Sequence, residues 1–262
     1  MIVKDITSII EDFAPLSLQA DFDNSGLAVG SLSNPVSSVL LCVDITEPVI
    51  DEAIELGAEL VISHHPLLFH PLRRVGEDTD TEKIIRKAIT HNLTIYSAHT
   101  NLDSTHEGLS FFNGHMIGLK NMKILDPQSS YNGNTTGYGV VGTLDQPMDT
   151  IEFLENLKSL FNIKTLRHSK ITKDKVSTIA LSSGSGAYLI TKAIEVEADI
   201  YMAADFKYND FFTPENRIIA VDMGHFESEY SAIQLLFEVI RKKIPTFAIH
   251  KSKFSKNPVN YL

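Results

Sequence analysis

A second cysteine is missing from this chain of 262 residues, in which Cys42 stands alone. No intrachain disulfide can form, and the position of Cys42 within Val39-Leu40-Leu41-Cys42-Val43 makes it a buried small hydrophobe, as suits a reducing compartment. Also missing is any run approaching the ~20 apolar residues that a membrane helix requires. The N-terminus lacks the basic-then-apolar-then-small pattern of a leader, so a cytoplasmic location with no membrane partner is expected. Positive charge is scarce. With 23 Lys and Arg against 33 Asp and Glu, the net charge is −10, which disfavours nonspecific attraction to nucleic acid or to an anionic surface. A small-molecule or protein partner is favoured instead. What is present is an ordinary globular composition: 43% hydrophobic residues, enough for a substantial core in one large domain or two small lobes.

Helical and strand-like segments alternate, the pattern of an α/β fold with largely parallel strands. Ile6, Ile9, Ile10 and Phe13 recur at helical spacing over Val3 to Phe13. Val39 to Val43 reads as a buried strand and Glu47 to Leu56 as a helix stopped by Gly57. Leu60-Val61-Ile62 is a short strand that ends in His64 and His65, and Pro66 keeps the histidines from continuing into a helix. Thr81 to His91 predicts a helix, Leu93 to Ala98 a strand delivering His99, and Glu107 to Leu119 another helix. Further on, Tyr138 to Thr143 predicts a strand, Thr150 to Phe161 an amphipathic helix, and Lys251 to Leu262 a polar surface tail.

The second half echoes the first at an offset of 140, which superposes Val36-Ser37-Ser38 on Val176-Ser177-Thr178 and Ala53-Ile54-Glu55 on Ala193-Ile194-Glu195. Arg217 to Val221 then delivers His225 as Leu93 to Ala98 delivers His99, and an acid lies four residues after each histidine. Two similar α/β lobes are expected, residues 1–128 and 129–262, divided in the turn-rich stretch Asp126 to Asn134.

Three polar patches stand at the predicted strand ends, where open α/β sheets bind ligands: Ser63-His64-His65-Pro66, His99-Thr100-Asn101-Leu102-Asp103 and His225-Phe226-Glu227-Ser228-Glu229. Adjacent histidines diverge in extended backbone and suit two neighbouring ions better than one, although a pair of loop histidines would read the same. Asp103 is either a ligand beside His99 or a cap for the helix that follows. Glu229 shares a helix face with His225 and is the better ligand, while Glu227 is the better solvent-exposed charge; Glu229 could instead complement a helix dipole. Taken together, the patches point to a site with open positions, holding two divalent ions and built from both lobes. Zinc, iron and manganese suit His plus carboxylate alike. Ser182-Ser183-Gly184-Ser185-Gly186 invites either a phosphate-binding reading or one of close strand-helix packing.

These patches, with Asp23-Asn24-Ser25-Gly26-Leu27 and Ala198-Asp199-Ile200-Tyr201 followed by Asp205 and Lys207-Tyr208, resemble the signatures of the GTP cyclohydrolase I type 2 family, also called Nif-three-like. The resemblance spans nearly the whole chain. It implies two similar α/β lobes with a metal site between them and a ring-shaped homohexamer. His64 and Asp103 would hold one ion and His65 and His225 the other, with Glu229 bridging and His99 as an occasional ligand or proton-transfer group. The implied activity is metal-activated water opening the guanine ring of GTP, with His99 and Glu229 as the catalytic groups. Hydrolysis of another nucleotide or phosphoester, or a non-catalytic metal-holding ring acting as carrier, chaperone or interaction partner, are the alternatives. Phe22, where many relatives carry tryptophan, and Ser182-Ser183, in place of a more glycine-rich turn, depart from the pattern.

Overall fold

The computed structural model describes residues 1–262. Residues 1–105 form α1 (Val3–Phe13), β1 (Gly26–Val29), β2 (Ser38–Cys42), α2 (Glu47–Glu55), β3 (Leu60–Ser63), α3 (Asp80–Thr90), β4 (Thr94–Ser97) and α4 (Thr100–Ser104). Residues 106–231 add α5 (Leu109–Ile117), β5 (Lys120–Tyr131), β6 (Asn134–Asp149), α6 (Thr150–Leu160), β7 (Arg167–His168), β8 (Lys175–Ser185), α7 (Ile190–Glu195), β9 (Ile200–Ala204), β10 (Ile219–Asp222) and α8 (His225–Glu229). The chain then forms α9 (Ala232–Lys243) and β11 (Ala248–Lys251). No helix is long and apolar enough to cross a membrane.

Two compact units result. Met1–Thr105 with Ala232–Pro258 makes the first, and His106–Ser231 with Val259–Leu262 the second. The expected division of 1–128 and 129–262 differs from this at both ends. The turn-rich stretch Asp126 to Asn134 is not a linker: it is the outer part of the β5–β6 hairpin, turning at Asn132-Gly133, both at positive φ. Polar turn formers suit an exposed hairpin tip as well as a boundary, so composition does not separate the two.

The first unit holds a five-stranded sheet, β1-β4-β3-β2-β11, parallel except for β1. β2 and β3 are buried throughout, as continuous apolar runs in a covered parallel sheet should be. Leu40, Cys42, Val61 and Ile95 pack with Val49, Ile50 and Ala53 of α2 and Ile84, Ile85 and Ala88 of α3. Cys42 is fully buried, and desolvation pushes its thiol pKa up, so it behaves as a hydrophobe. α9 packs on α1 and on β2. The segment after β11 is mostly exposed, as expected of a surface tail, but two buried serines tie it down. Ser252 Oγ donates to buried Glu52 at 2.6 Å, and Ser255 Oγ accepts from the Val43 amide at 3.0 Å.

The second unit holds a six-stranded sheet, β5-β6-β8-β9-β10-β7, in which β8, β9 and β10 are parallel and the others antiparallel. Its faces sort by alternation. Ile179, Leu181, Met202 and Val221 pack under Phe153 and Leu157 of α6, while Ala180, Tyr201, Ala203 and Ala220 pack under Ile190 and Ala193 of α7.

The internal echo extends to register. Val39 pairs with Leu60 and Leu41 with Ile62 in the first sheet; Ile179 pairs with Ile200 and Leu181 with Met202 in the second, each shifted by 140. Glu59 accepts from the Ser37 and Ser38 amides at 3.0 and 3.1 Å, and Asp199 accepts from the Ser177 and Thr178 amides at 2.8 and 2.9 Å. An acid at the same place ties the same strand starts in both units. The two antiparallel flanking strands correspond as well, with β1 beside β4 and β7 beside β10.

Candidate functional site

In the first unit, β3 and β4 run parallel and release the chain on the same side, so His64 and His65 after β3 and His99 after β4 meet. Their ring centroids are 5.2 to 5.4 Å apart. One ligand atom from each lies within 4.8 Å of the others.

Each of these rings is held at Nδ1. His64 Nδ1 lies 2.8 Å from the Ala98 carbonyl, and since a carbonyl only accepts, this nitrogen carries the proton and the neutral ring has its lone pair on Nε2. His65 Nδ1 is 2.7 Å from Asp44 Oδ1, and His99 Nδ1 is 2.8 Å from Asp23 Oδ1. Carboxylates in that place set the same tautomer and leave the lone pair on Nε2. Burial opposes the charge of Asp23, but hydrogen bonds from His99, Thr100 and Ser25 outweigh it and hold its carboxyl well below the usual range.

Asp103 lies inside α4, with its amide bonded to the His99 carbonyl at 3.1 Å, and it does not cap the next helix: α5 begins at Leu109, with Gly108 before it and no side-chain cap. Its Oδ1 stands 3.8 Å from His64 Nε2. That is too long for a hydrogen bond and suited to two donors reaching one ion at roughly 2.0–2.2 Å each.

In the second unit, β10 ends at Asp222 and α8 follows through Gly224. The helical stretch that follows His225 is not continuous: α8 ends at Glu229 and α9 begins at Ala232. Asn113 of α5 donates to the Ser228 carbonyl at 2.7 Å and accepts from Ser231 Oγ, which pulls the backbone out of helical register. His225 Nδ1 is 2.7 Å from Asp205 Oδ2, and His225 Nε2 is 2.9 Å from Glu229 Oε2. Burial opposes protonation of this ring, but the two carboxylates outweigh it and raise its pKa to about 9. Glu229 sits at the end of five-residue α8, where a helix dipole offers a carboxylate nothing. Glu227 is also buried, at 9% exposure, and faces the backbone of Gly224. The expectation that it is a solvent-exposed charge therefore fails.

The glycine-rich stretch at the end of β8 serves packing. Gly184 has φ +62°, donates to Ser228 Oγ at 2.9 Å, and leaves room that a Cβ would take from the Glu229 carboxylate. Gly186 packs against Ala203 and the Tyr201 hydroxyl.

Sequence reasoning missed Asp44 altogether and gave no supporting role to Asp23 or Asp205. A signal existed for Asp44: it follows a buried strand directly, as the histidines do. The donors of both units are imidazole and carboxylate with no thiolate, a set that fits zinc, iron or manganese.

Fold and side chains thus define a two-sheet α/β protein carrying histidine and carboxylate groups able to hold a divalent ion. The chain belongs to the Duf34/NIF3 (NGG1p interacting factor 3) family, whose model matches residues 1–258. It is 36% identical over 252 residues to a GTP cyclohydrolase 1 type 2 homolog from Clostridium acetobutylicum, covering 95% of this chain and 91% of that one. A protein of the same name from Clostridium perfringens is 34% identical over the full length of both. Among solved structures, a Bacillus cereus protein related to NIF3 has the same fold, with a TM-score of 0.93 at 24% identity, covering 100% of this chain and 99% of that one.

Proposed function

We propose that the protein is a metal-dependent hydrolase that opens the guanine ring of GTP, with two divalent ions held by His64, His65 and Asp103 of the first unit and His225 and Glu229 of the second. One observation carries this reading: His64, His65, His99 and His225 are each anchored at Nδ1 by a carbonyl or a carboxylate. That support orients metal-ligating histidines and raises their basicity, and loop histidines gain nothing from it. The names of the Clostridium relatives direct the choice of substrate.

Divalent ions there would lower the pKa of water and polarise the group under attack. The chain's own groups divide the remaining work. Asp23 holds the Nδ1 proton of His99, so Nε2 of His99 is the atom that accepts a proton from the water adding to C8 of guanine and returns it to the ring nitrogen whose bond to C8 breaks; a second water hydrolyses the resulting formamide to formate. Glu229, buried beside His225, supplies the second carboxylate. Incubation of metal-loaded protein with GTP is expected to release formate, and Asp103→Ala is expected to abolish the release. Metal-loaded protein that leaves GTP intact while cleaving other nucleotides or phosphoesters would move the assignment to those substrates. Loaded protein that turns over nothing would make it a metal-holding protein.

A further inference from the structure

Phe22 and Phe69 are large aromatic rings kept in water by backbone that cannot retract them. Phe22 is 68% exposed and Phe69 41%. The loop carrying Phe22 is pinned on its next residue, since the side chain of Asp23 is fully buried and accepts from His99 and from the Thr100 amide at 3.1 Å. Asn24 then donates to the Leu68 carbonyl at 2.7 Å, which ties the loop of Phe22 to the loop of Phe69. The two rings are 6.3 Å apart and inclined by 58°, an open wedge instead of a closed stack. Phe69 also stands 6.2 Å from the His99 ring at 79°. The wedge therefore borders the histidine cluster.

We propose that Phe22 and Phe69 form the stacking face that selects a planar heteroaromatic ring and holds its edge toward His99. The inference rests on the hydrolase reading above and names the residues that set its specificity. A flat ring with apolar faces and polar edges satisfies these neighbours, because one face covers one phenyl ring and meets the tilted edge of the other while its own edge meets an imidazole. A sugar phosphate without a base has no such face. A protein partner is a poor occupant. Two phenyl rings offer at most a few hundred Å², well below the roughly 800 Å² per partner of a stable interface.

The chain contains no tryptophan, so Phe22→Trp places a single indole reporter on the wedge. Guanosine monophosphate is expected to quench its emission saturably, and ribose 5-phosphate at the same concentrations is expected to leave it unchanged. By calorimetry, Phe22→Ala and Phe69→Ala should each weaken guanosine monophosphate binding about tenfold or more, the usual yield of one base–aromatic stack, with zinc uptake equal to that of the parent. Phe22 is so exposed that its truncation should leave the thermal midpoint unmoved. Ribose 5-phosphate binding as tightly as the nucleotide, no nucleotide binding by the parent, or parent-like binding by both alanine variants would overturn the proposal. A failure of the metal reading shows separately, as absent zinc uptake with base-dependent quenching intact.

Discussion

The two units start from one framework and end with different chemistry. Both place a parallel strand pair in the same register, and both tie the strand starts with an acid, Glu59 in one and Asp199 in the other. Both set a histidine and an acid four residues apart after the third parallel strand, His99 with Asp103 and His225 with Glu229. The strand-end side chains then part company. At an offset of 140, His65 corresponds to Asp205 and Asp44 to Gly184. The first unit thus has a histidine supported by Asp44, and the second an acid that supports His225 beside a glycine that makes room for Glu229. The first unit offers three histidines with Asp103, and the second one histidine with Glu229. Repeated backbone geometry fixes where donors can stand, and individual side chains decide which donors they are.

The contrast breaks most severely at the proposed ligands. Asp103→Ala and Glu229→Ala should each lower zinc affinity by about 100-fold or more, beyond the 10- to 100-fold usual for outer-shell partners, as read by competition with a chromogenic chelator. Next come the supports. Asp44→Asn and Asp205→Asn should each weaken zinc binding by about 10- to 100-fold while leaving the fold intact by circular dichroism. An effect in only one unit would show that the other unit's histidine is anchored for packing.

Gly184→Ala tests the room left for Glu229. An alanine at φ +62° that also presses on the carboxylate should destabilise the protein by about 1–3 kcal/mol in a denaturant titration. The smallest effects belong to the shared acids. Glu59→Gln and Asp199→Asn should each cost about 1 kcal/mol. Both carboxyls titrate below their usual values: burial opposes this, and the amide hydrogen bonds, with Lys173 in the case of Asp199, outweigh it. Their contribution is therefore complete above the unfolded carboxyl pKa of about 4 and is lost as pH falls through the lower folded value. The parent should lose stability below about pH 4, and each variant should show a flatter acid limb in thermal melts.

Much of this was legible from residue order. The helix over Val3 to Phe13 appears as expected, because its apolar period is strong and its buried face is Val3, Ile6 and Ile10. The strands before His64, His99 and His225 were visible as short apolar runs with polar ends. Less visible was anything decided by contacts distant in sequence. The helix after His225 breaks because of Asn113, more than a hundred residues earlier, and local periodicity carries no trace of that hydrogen bond. The terminal segment is anchored by Glu52, some 200 residues away, although its own composition reads as a surface tail. Glu227 is buried in a helix too short for its exposed face to be judged by period. The supporting acids Asp44 and Asp205 are ordinary loop residues until the fold sets them 2.7 Å from an imidazole.

The central proposal is that His64, His65, Asp103, His225 and Glu229 hold two divalent ions, with Glu229 a ligand of both. Zinc titration of chelator-stripped protein, followed by calorimetry for the parent and Glu229→Ala, tests it most directly. Two tightly bound ions per parent chain and loss of tight binding for both in the variant are the predicted result. A parent that binds no zinc tightly, or a variant that still takes up two ions with parental affinity, would contradict it.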